Sequence, residues 1–294
     1  MILQNYLHAS RSLAKLSSLG DIRESNANEH IVSSLLDVTC DSDSTNDQIY
    51  IAALAAIAPR NPMVSVQGGK LPKTSQLAGT KVEDFQIGIY PVTMAEWQGV
   101  RNWAIENGFD MAEGTAGGPS HPVTYINWYD SVKWCNAKSV MQGLEPVYVV
   151  KGQDGYYSRE EFGEQGSENV VLEPLANGYR LPAEAEWEWA ARGGRNSQGY
   201  TFAGSNNLND VGWYGDNSGR NAHAVGEKAP NEIGLYDMSG NVWEWCWDLE
   251  DNFHRRLRGG SWDYPDSNCP VSYRFRHPPD YNMAYTGFRL ARSL

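Results

Sequence analysis

The sequence predicts a mixed α+β domain that has little regular secondary structure and many turns. Its 294 residues include 29 glycines, 11 tryptophans and 16 tyrosines, while charged residues make up only 20%. Frequent glycine favours turns and bulges, and the low charge content argues against a bundle of solvent-exposed helices. The many aromatic side chains also require a large core, because so much apolar surface is unfavourable in water.

The first 62 residues are predicted to form a short helical segment. Leucines recur at roughly helical spacing over the first twenty residues, and Gly20 is suited to end that helix. A second helix is expected around Leu35. A third is predicted to begin at Thr45, whose side chain is suited to cap a helix N-terminus, and to end before Pro59.

From Met63 onward, strand patterns alternate with helical ones. The stretch MVSVQGG alternates like a strand that ends in a turn, and Phe85–Thr93 indicates a second strand. In the sequence YRLPAEAEWEWAARGG, Pro182 suits the first turn of a helix, and the three glutamates favour its positive N-terminal end. Helices are therefore predicted over residues 94–107, over Trp128–Lys138 and within this third stretch, where Glu184, Glu186 and Glu188 lie near the start.

Three short strands are predicted near the C-terminus, in the sequences GNVWEWCWD, RRLRGGSWD and TGFRLAR. Trp243, Trp245 and Trp247 alternate, so they are expected on one face of a sheet with Cys246 on the other. Arg258 and Arg289 are expected to tie loops together through bidentate hydrogen bonds. Gly259 and Gly260 permit a tight turn or bulge between these elements.

Charge and cysteine content exclude several classes of function. The net charge is −12 and the pI is about 4.9, which argues against nucleic acid and disfavours anionic membrane surfaces. The four cysteines, at positions 40, 135, 246 and 269, form no CxxC pair, so neither a zinc ribbon nor a disulfide scaffold is expected. We expect Cys135 and Cys246 to be core thiols.

The cellular location stays open at this stage. No basic start followed by a long apolar run opens the chain, and the most apolar segment, Ile49–Ala58, is too short to span a bilayer. A soluble protein is expected, cytoplasmic by default, with display on a cell surface or a phage as the alternative.

Six ordered motifs resemble the formylglycine-generating enzyme (sulfatase-modifying factor) family. They are YPVTMAEW, HPVTYINWYDSVKWCN, YRLPAEAEWEWAARGG, NEIGLYDMSGNVWEWCWD, RGGSW and GFRLA. The resemblance covers about Met63 to Arg292. It implies a C-type lectin-like fold over residues 63–294, with the helical residues 1–62 outside it and a C-terminal variable region at about residues 258–292.

The residues that would carry catalysis in this family do not match. The resemblance implies two copper-binding cysteines, one directly before a segment like Tyr-Arg-Tyr-Arg and the other five residues earlier. Because YRFR begins at Tyr273, those positions hold Ser272 and Ser267, with Cys269 alone between them. A hydroxyl does not replace a thiolate at a soft-metal site. No copper is expected, although a metal- and oxygen-dependent oxidoreductase that uses Cys269 in another way is the rival hypothesis.

Another branch of the family displays ligand-binding surfaces, and this sequence is similar to that branch. It comprises the variable proteins of diversity-generating retroelements, in which adenine-directed mutagenesis alters a C-terminal stretch that ends before Gly-Phe-Arg. Asparagine codons changed in this way do not yield Trp, Met, Lys, Glu or Gln. Between Asp263 and Thr286 there is no Trp, Lys, Glu or Gln, and only one Met, Met283.

The sequence therefore predicts a non-catalytic protein that binds a macromolecular ligand, expected to be a protein, at its C-terminal stretch. Rigid aromatic residues next to small polar residues resemble the composition of antibody paratopes. The candidate contact residues are Asp263, Tyr264, Asp266, Ser267, Val271, Ser272, Tyr273, Phe275, His277, Asp280, Tyr281 and Tyr285.

The resemblance also implies a structural calcium site that would involve Asn241 and Glu244 in the sequence SGNVWEW. Side-chain oxygens and backbone carbonyls are the ligands that calcium prefers. A hydrogen-bonded turn without a metal is the alternative interpretation of the same residues.

Overall fold

The computed structural model describes residues 62–159 and 167–294. The predicted N-terminal helical segment lies outside the described residues except for Pro62, so that segment and the boundary at residue 62 stay predictions. The helices are α1 (Met94–Glu106), α2 (Trp128–Met141), α3 (Glu184–Ala191) and α4 (Leu208–Val211). Within the described ranges, no helix is long and apolar enough to cross a bilayer.

The strands are short and form four small sheets in the described part of the chain. The strands are β1 (Met63–Val66), β2 (Gly69–Lys70), β3 (Lys81–Val82), β4 (Phe85–Gly88), β5 (Tyr148–Val150), β6 (Val170–Leu172), β7 (Trp243–Asp251), β8 (His254–Arg258), β9 (Phe275–His277), β10 (Thr286–Phe288) and β11 (Ala291–Ser293). One sheet has the order β1-β4-β11 and a second has the order β10-β7-β8-β9, while β2 pairs with β3 and β5 pairs with β6.

The helix caps explain where the predicted helices begin. The Thr93 side chain accepts a hydrogen bond from the Glu96 amide, and the Asn127 side chain accepts one from the Asp130 amide. The predicted strand Phe85–Thr93 ends early, at Gly88, because Pro91 lacks an amide donor and Thr93 already caps α1.

Two further sequence predictions are corrected by the structure. Pro182 does not lie in the first turn of α3, since Ala183 is the N-cap and the helix begins at Glu184. The TGFRLAR segment is not one strand. It forms β10, which runs parallel to β7, and then β11, which pairs antiparallel with β4 in the other sheet.

Strand β7 separates two hydrophobic cores. Trp243 and Trp245 are fully buried in the larger core, which α1 and α2 also line, and Trp247 packs against it. Cys246 points to the smaller core, together with Trp187 of α3. The predicted alternation of side chains along this strand is therefore confirmed, and both faces of β7 are buried.

A buried ion pair joins the two sheets at the centre of the fold. The Arg289 guanidinium donates to the Glu244 carboxylate, with Nη2 at 2.8 Å from Oε1 and Nε at 3.0 Å from Oε2. Arg289 also donates to the carbonyls of Gly88, Ile89 and Tyr236. The predicted structural role of Arg289 is thus confirmed, since one side chain satisfies three carbonyls from two separate parts of the chain.

We predict that Glu244→Gln lowers the free energy of unfolding by about 3–5 kcal/mol, because it leaves the buried Arg289 without its counter-charge. Chemical denaturation followed by tryptophan fluorescence measures the change. The matched control is Glu145→Gln, at an exposed residue in the loop after α2, which should change stability by less than about 0.5 kcal/mol. Equal effects of the two substitutions would contradict the structural role of the pair.

A candidate recognition face at the C-terminal stretch

The candidate site is built from the chain between β8 and β10, residues 259–285. This stretch contains one turn of 3-10 helix at Asp266–Asn268 and the short strand β9. It begins with two glycines that have positive φ, +100° at Gly259 and +79° at Gly260. A Cβ atom at Gly260 would lie 2.5 Å from the Cys269 sulfur, so the stretch turns back on itself where only glycine fits.

Arg258, the last residue of β8, anchors the middle of this stretch. Its Nη1 donates to the Tyr273 carbonyl at 2.6 Å, and its Nη2 donates to the Val271 carbonyl at 2.9 Å. Nη2 also lies 2.6 Å from Oε2 of Glu188, on α3. Both ionic partners are fully buried. The predicted loop-tying role of Arg258 is confirmed, and it connects the stretch to a helix of the framework.

Other framework residues hold the backbone of the stretch at both ends. The hydroxyl of Ser239 donates to the Cys269 carbonyl at 2.9 Å. Backbone amides outside the stretch supply further anchors: Gly215 N to Tyr264 O, Trp128 N to Pro279 O, Tyr125 N to Met283 O and Trp243 N to Tyr285 O. Within the stretch, Trp262 Nε1 donates to the Ala284 carbonyl. None of these bonds uses a side chain that belongs to the predicted contact residues.

The glutamates of α3 form specific ion pairs, in addition to the helix-end effect predicted from the sequence. Glu184 accepts two hydrogen bonds from Arg274, at 2.7 and 2.6 Å. Glu186 accepts two from Arg180, at 2.6 and 2.8 Å. Because Glu188 binds Arg258, two of the three carboxylates hold arginines that position the C-terminal stretch.

Six predicted contact residues come together as one cluster, which we call the aromatic face. Its members are Tyr264, Tyr273, Phe275, His277, Tyr281 and Tyr285, and all six are half-buried. The Phe275 ring stacks on buried Trp243 with centroids 4.8 Å apart, and the His277 ring stacks on Tyr281 at 3.6 Å. Tyr264 meets Tyr285 edge to face at 5.3 Å. The rings therefore support one another around a buried tryptophan.

The aromatic face carries no formal charge near neutral pH. The hydroxyls of Tyr281 and Tyr285 are hydrogen-bonded at 2.7 Å. Desolvation and this hydrogen bond raise the pKa of Tyr281 to about 12. Desolvation, with a contribution from nearby His254, lowers the pKa of His277 below its usual value. Uncharged rings and hydroxyls suit contact with a partner surface at low desolvation cost.

The other predicted contact residues lie at different depths. Asp263, Asp266, Ser267 and Asp280 are exposed, and Ser272 is half-buried with its carbonyl near Arg258. Val271 is 2% exposed and packs in the smaller core. The prediction that Val271 contacts a ligand is therefore wrong for this structure, because its side chain faces inward.

Sequence reasoning missed Tyr125, which precedes α2. Its side chain is 48% exposed, and its backbone has φ of +54° although it is not glycine. Its amide donates to the Met283 carbonyl at 3.1 Å, which places it beside the C-terminal stretch. A bulky residue with positive φ is uncommon and is found more often at functional sites. Nothing in the spacing of the sequence indicates this conformation.

The residues expected to bind calcium do not fit that role. Both carboxylate oxygens of Glu244 accept hydrogen bonds from Arg289, and Oε2 also accepts one from Trp187. The Asn241 side chain accepts from the His223 amide and donates to the His223 carbonyl and to Asp237. Over residues 62–159 and 167–294, no group of three or more His, Cys, Asp or Glu side chains is placed to hold a metal.

The cysteines of the described residues are also unsuited to bind copper. Cys135, Cys246 and Cys269 are buried free thiols, which confirms the core positions predicted for the first two. Burial raises the pKa of Cys269 to about 12, so this thiol stays protonated at neutral pH. Ser267 and Ser272, at the positions that would hold thiolates, offer only hydroxyls.

The fold and its buried ion pairs define a C-type lectin-like domain of the formylglycine-generating enzyme type. The chain matches the family described as the sulfatase-modifying factor enzyme 1-like domain over residues 53–294, and it belongs to that family. It is 34% identical over 260 residues to the chaperone protein LppX of Paenibacillus barcinonensis, with coverage of 79% of this chain and 89% of that protein.

Two solved structures of high similarity support the same fold. The structure of CarF has a TM-score of 0.69 at 30% identity and covers 80% of this chain and 99% of its own. Treponema denticola variable protein 1 has a TM-score of 0.64 at 30% identity, with coverage of 79% and 94%. The predicted fold and the resemblance to variable proteins are confirmed.

Relatives in this family include both active and inactive members. The formylglycine-generating enzyme of Thermomonospora curvata is 35% identical over 210 residues, which cover 59% of this chain and 56% of that enzyme. An inactive C-alpha-formylglycine-generating enzyme 2 of Bos taurus is 36% identical over 132 residues, which cover 39% and 44%. This chain thus spans about half the length of each of these two relatives, and family membership alone does not assign catalysis.

We predict that Arg258→Met loosens the C-terminal stretch, because the carbonyls of Val271 and Tyr273 lose their buried donor. Hydrogen exchange at the Val271 and Tyr273 amides should become faster, and the free energy of unfolding should fall by about 3 kcal/mol. Arg276→Gln is the control, since Arg276 is half-exposed and pairs with Asp251 and Glu250 at the surface. If Arg258→Met leaves the protection of these amides unchanged, Arg258 does not hold the stretch.

Proposed function

We propose that this chain is a non-catalytic binding protein whose aromatic face and adjoining exposed residues contact a protein partner. We further propose that the contact residues are interchangeable, as in the variable proteins of diversity-generating retroelements. The observation that carries the proposal is that, in residues 259–285, the backbone and the side chains have different roles. Framework residues hold the backbone, while the side chains that would meet a partner are left at the surface.

The anchors of the stretch are compatible with variation of its side chains. Arg258, Ser239, Trp128, Trp243 and Gly215 all bind backbone atoms of the stretch. A backbone carbonyl accepts the same hydrogen bond whatever side chain its residue carries. Substitution at exposed positions would therefore keep the path of the chain, which is the property that a diversified recognition surface needs.

The chemistry of the face also favours binding over catalysis. Tyrosines supply large, stiff contact areas at low entropic cost, and neighbouring Asp, Ser and Asn side chains supply adaptable hydrogen bonds. A catalytic site of the copper type would need two thiolates, and the matching positions hold Ser267 and Ser272. The aromatic face instead closes over buried Trp243.

The names of two similar proteins support a binding role. One is a variable protein of Treponema denticola, and another is a chaperone protein of Paenibacillus barcinonensis. Both similarities extend over 79% of this chain, so they include most of the described domain. The name chaperone implies recognition of other proteins, and the name variable protein agrees with the proposed interchange of contact residues.

We predict that a library with substitutions at exposed positions of the stretch remains folded and yields binders. The positions are Asp263, Asp266, Ser267 and Asp280, each replaced by residues that altered asparagine codons encode. Most members should melt within about 4 °C of the parent, because surface substitutions usually change stability by less than about 0.5 kcal/mol. Selection against a purified target protein should recover members that bind it.

The control library carries the same residue types at Cys269, Val271 and Leu257, which are buried. These variants should lose about 2–4 kcal/mol or fail to fold, because a polar group or a cavity would replace core packing. The proposal fails if the exposed-position library is as damaged as the buried one, or if selection recovers no binder from a folded library.

A further inference from the structure

The aspartates of the C-terminal stretch are exposed and uncompensated. Asp263 directly precedes Tyr264, Asp280 directly precedes Tyr281, and Asp266 begins the 3-10 turn. None of the three forms an ion pair with another residue of the described chain. The negative charge of Asp263 also acts on the Tyr285 hydroxyl. The carboxylate of Asp263 therefore adjoins the aromatic face, and Asp280 directly precedes its member Tyr281 in the sequence.

Most positive charges of the same region are paired with a carboxylate or buried. The sequence contains no lysine after Lys228. Arg274 binds Glu184, and Arg276 binds Asp251 and Glu250. The remaining arginines beyond Trp243 are the buried Arg255, Arg256, Arg258 and Arg289, together with Arg292, whose Nε donates to the Asn177 carbonyl. Within residues 259–285, the charged side chains that lack an ion pair in the described structure are therefore the three aspartates.

Tyr125 exposes a further aromatic side chain beside the C-terminal stretch. Tyr125 is 48% exposed and Met283 is 36% exposed, and the Tyr125 amide donates to the Met283 carbonyl. Both lie next in the fold to Tyr281 and Tyr285, since residues 281–285 form one short loop. Ring faces attract cations through their quadrupole, and the attraction grows when nearby carboxylates add to it.

We propose that the partner segment recognised by this face is basic, presenting Arg or Lys side chains to the tyrosine rings between Asp263 and Asp280. This inference rests on the proposed binding function and specifies the chemistry of its ligand. Charge complementarity of this kind sets partner choice and the rate of association. An acidic partner would meet uncompensated like charge, which is a recognised way to exclude wrong partners.

The test uses the full chain and two fluorescein-labelled peptides of equal length. One alternates Gly with Arg and Lys, and the other alternates Gly with Glu, and fluorescence anisotropy measures binding at physiological salt. The basic peptide should bind and the acidic peptide should not. The double variant Asp263→Asn/Asp280→Asn should bind the basic peptide about fivefold more weakly, and Tyr281→Leu should weaken binding in the same direction.

The matched control is Glu145→Gln/Glu173→Gln, which changes the net charge equally at two exposed residues outside the C-terminal stretch. It should change binding by less than about twofold. An equal loss in the control would mean general attraction to an acidic protein and would overturn the inference. Equal binding of the acidic peptide, or no binding of the basic one, would also overturn it. Failure of the binding function itself would appear separately, as a folded library that yields no binder.

Discussion

The fold of the C-terminal stretch depends on the buried guanidinium of Arg258. A buried cation is costly unless a counter-charge and hydrogen-bond acceptors surround it. Glu188 supplies the charge, and the carbonyls of Val271 and Tyr273 supply acceptors. Displacing the stretch would remove these acceptors from the buried guanidinium. The observed path of the backbone is therefore energetically favoured. Strand β8, helix α3 and the loop all meet at this guanidinium.

With this arrangement, the path of the backbone does not depend on which side chains the stretch carries at its contact positions. The donors that hold residues 259–285 come mainly from outside the predicted contact residues, and they bind carbonyl groups. A second buried arginine acts in the same way, because Arg289, paired with Glu244, donates to backbone carbonyls. This pair joins both sheets to the loops before α1 and β7. A rigid platform under a half-buried, uncharged aromatic face with exposed polar neighbours is the physical basis of the proposed recognition function.

The sequence predicted those parts of the fold that depend on local patterns. Alternation along β7, the starts of α1 and α2 and the core positions of Cys135 and Cys246 follow from periodicity and capping residues. Burial of Val271 and the engagement of Glu244 were not predictable, because both depend on residues distant in sequence, such as Thr201 and Arg289. Tyr125 was missed because its positive φ is imposed by the tertiary structure.

The most direct measurement is a crystal structure of a variant in which Tyr264, Tyr281 and Tyr285 are all replaced by Ser. If the framework sets the backbone, residues 261–285 should superpose on the parent within about 1 Å, with the Arg258 guanidinium still bonded to the carbonyls of Val271 and Tyr273. A stretch that takes a new path, with those bonds broken, would show that the aromatic side chains shape the loop. That result would contradict the claim that framework residues, and not the aromatic side chains, set the path of the backbone.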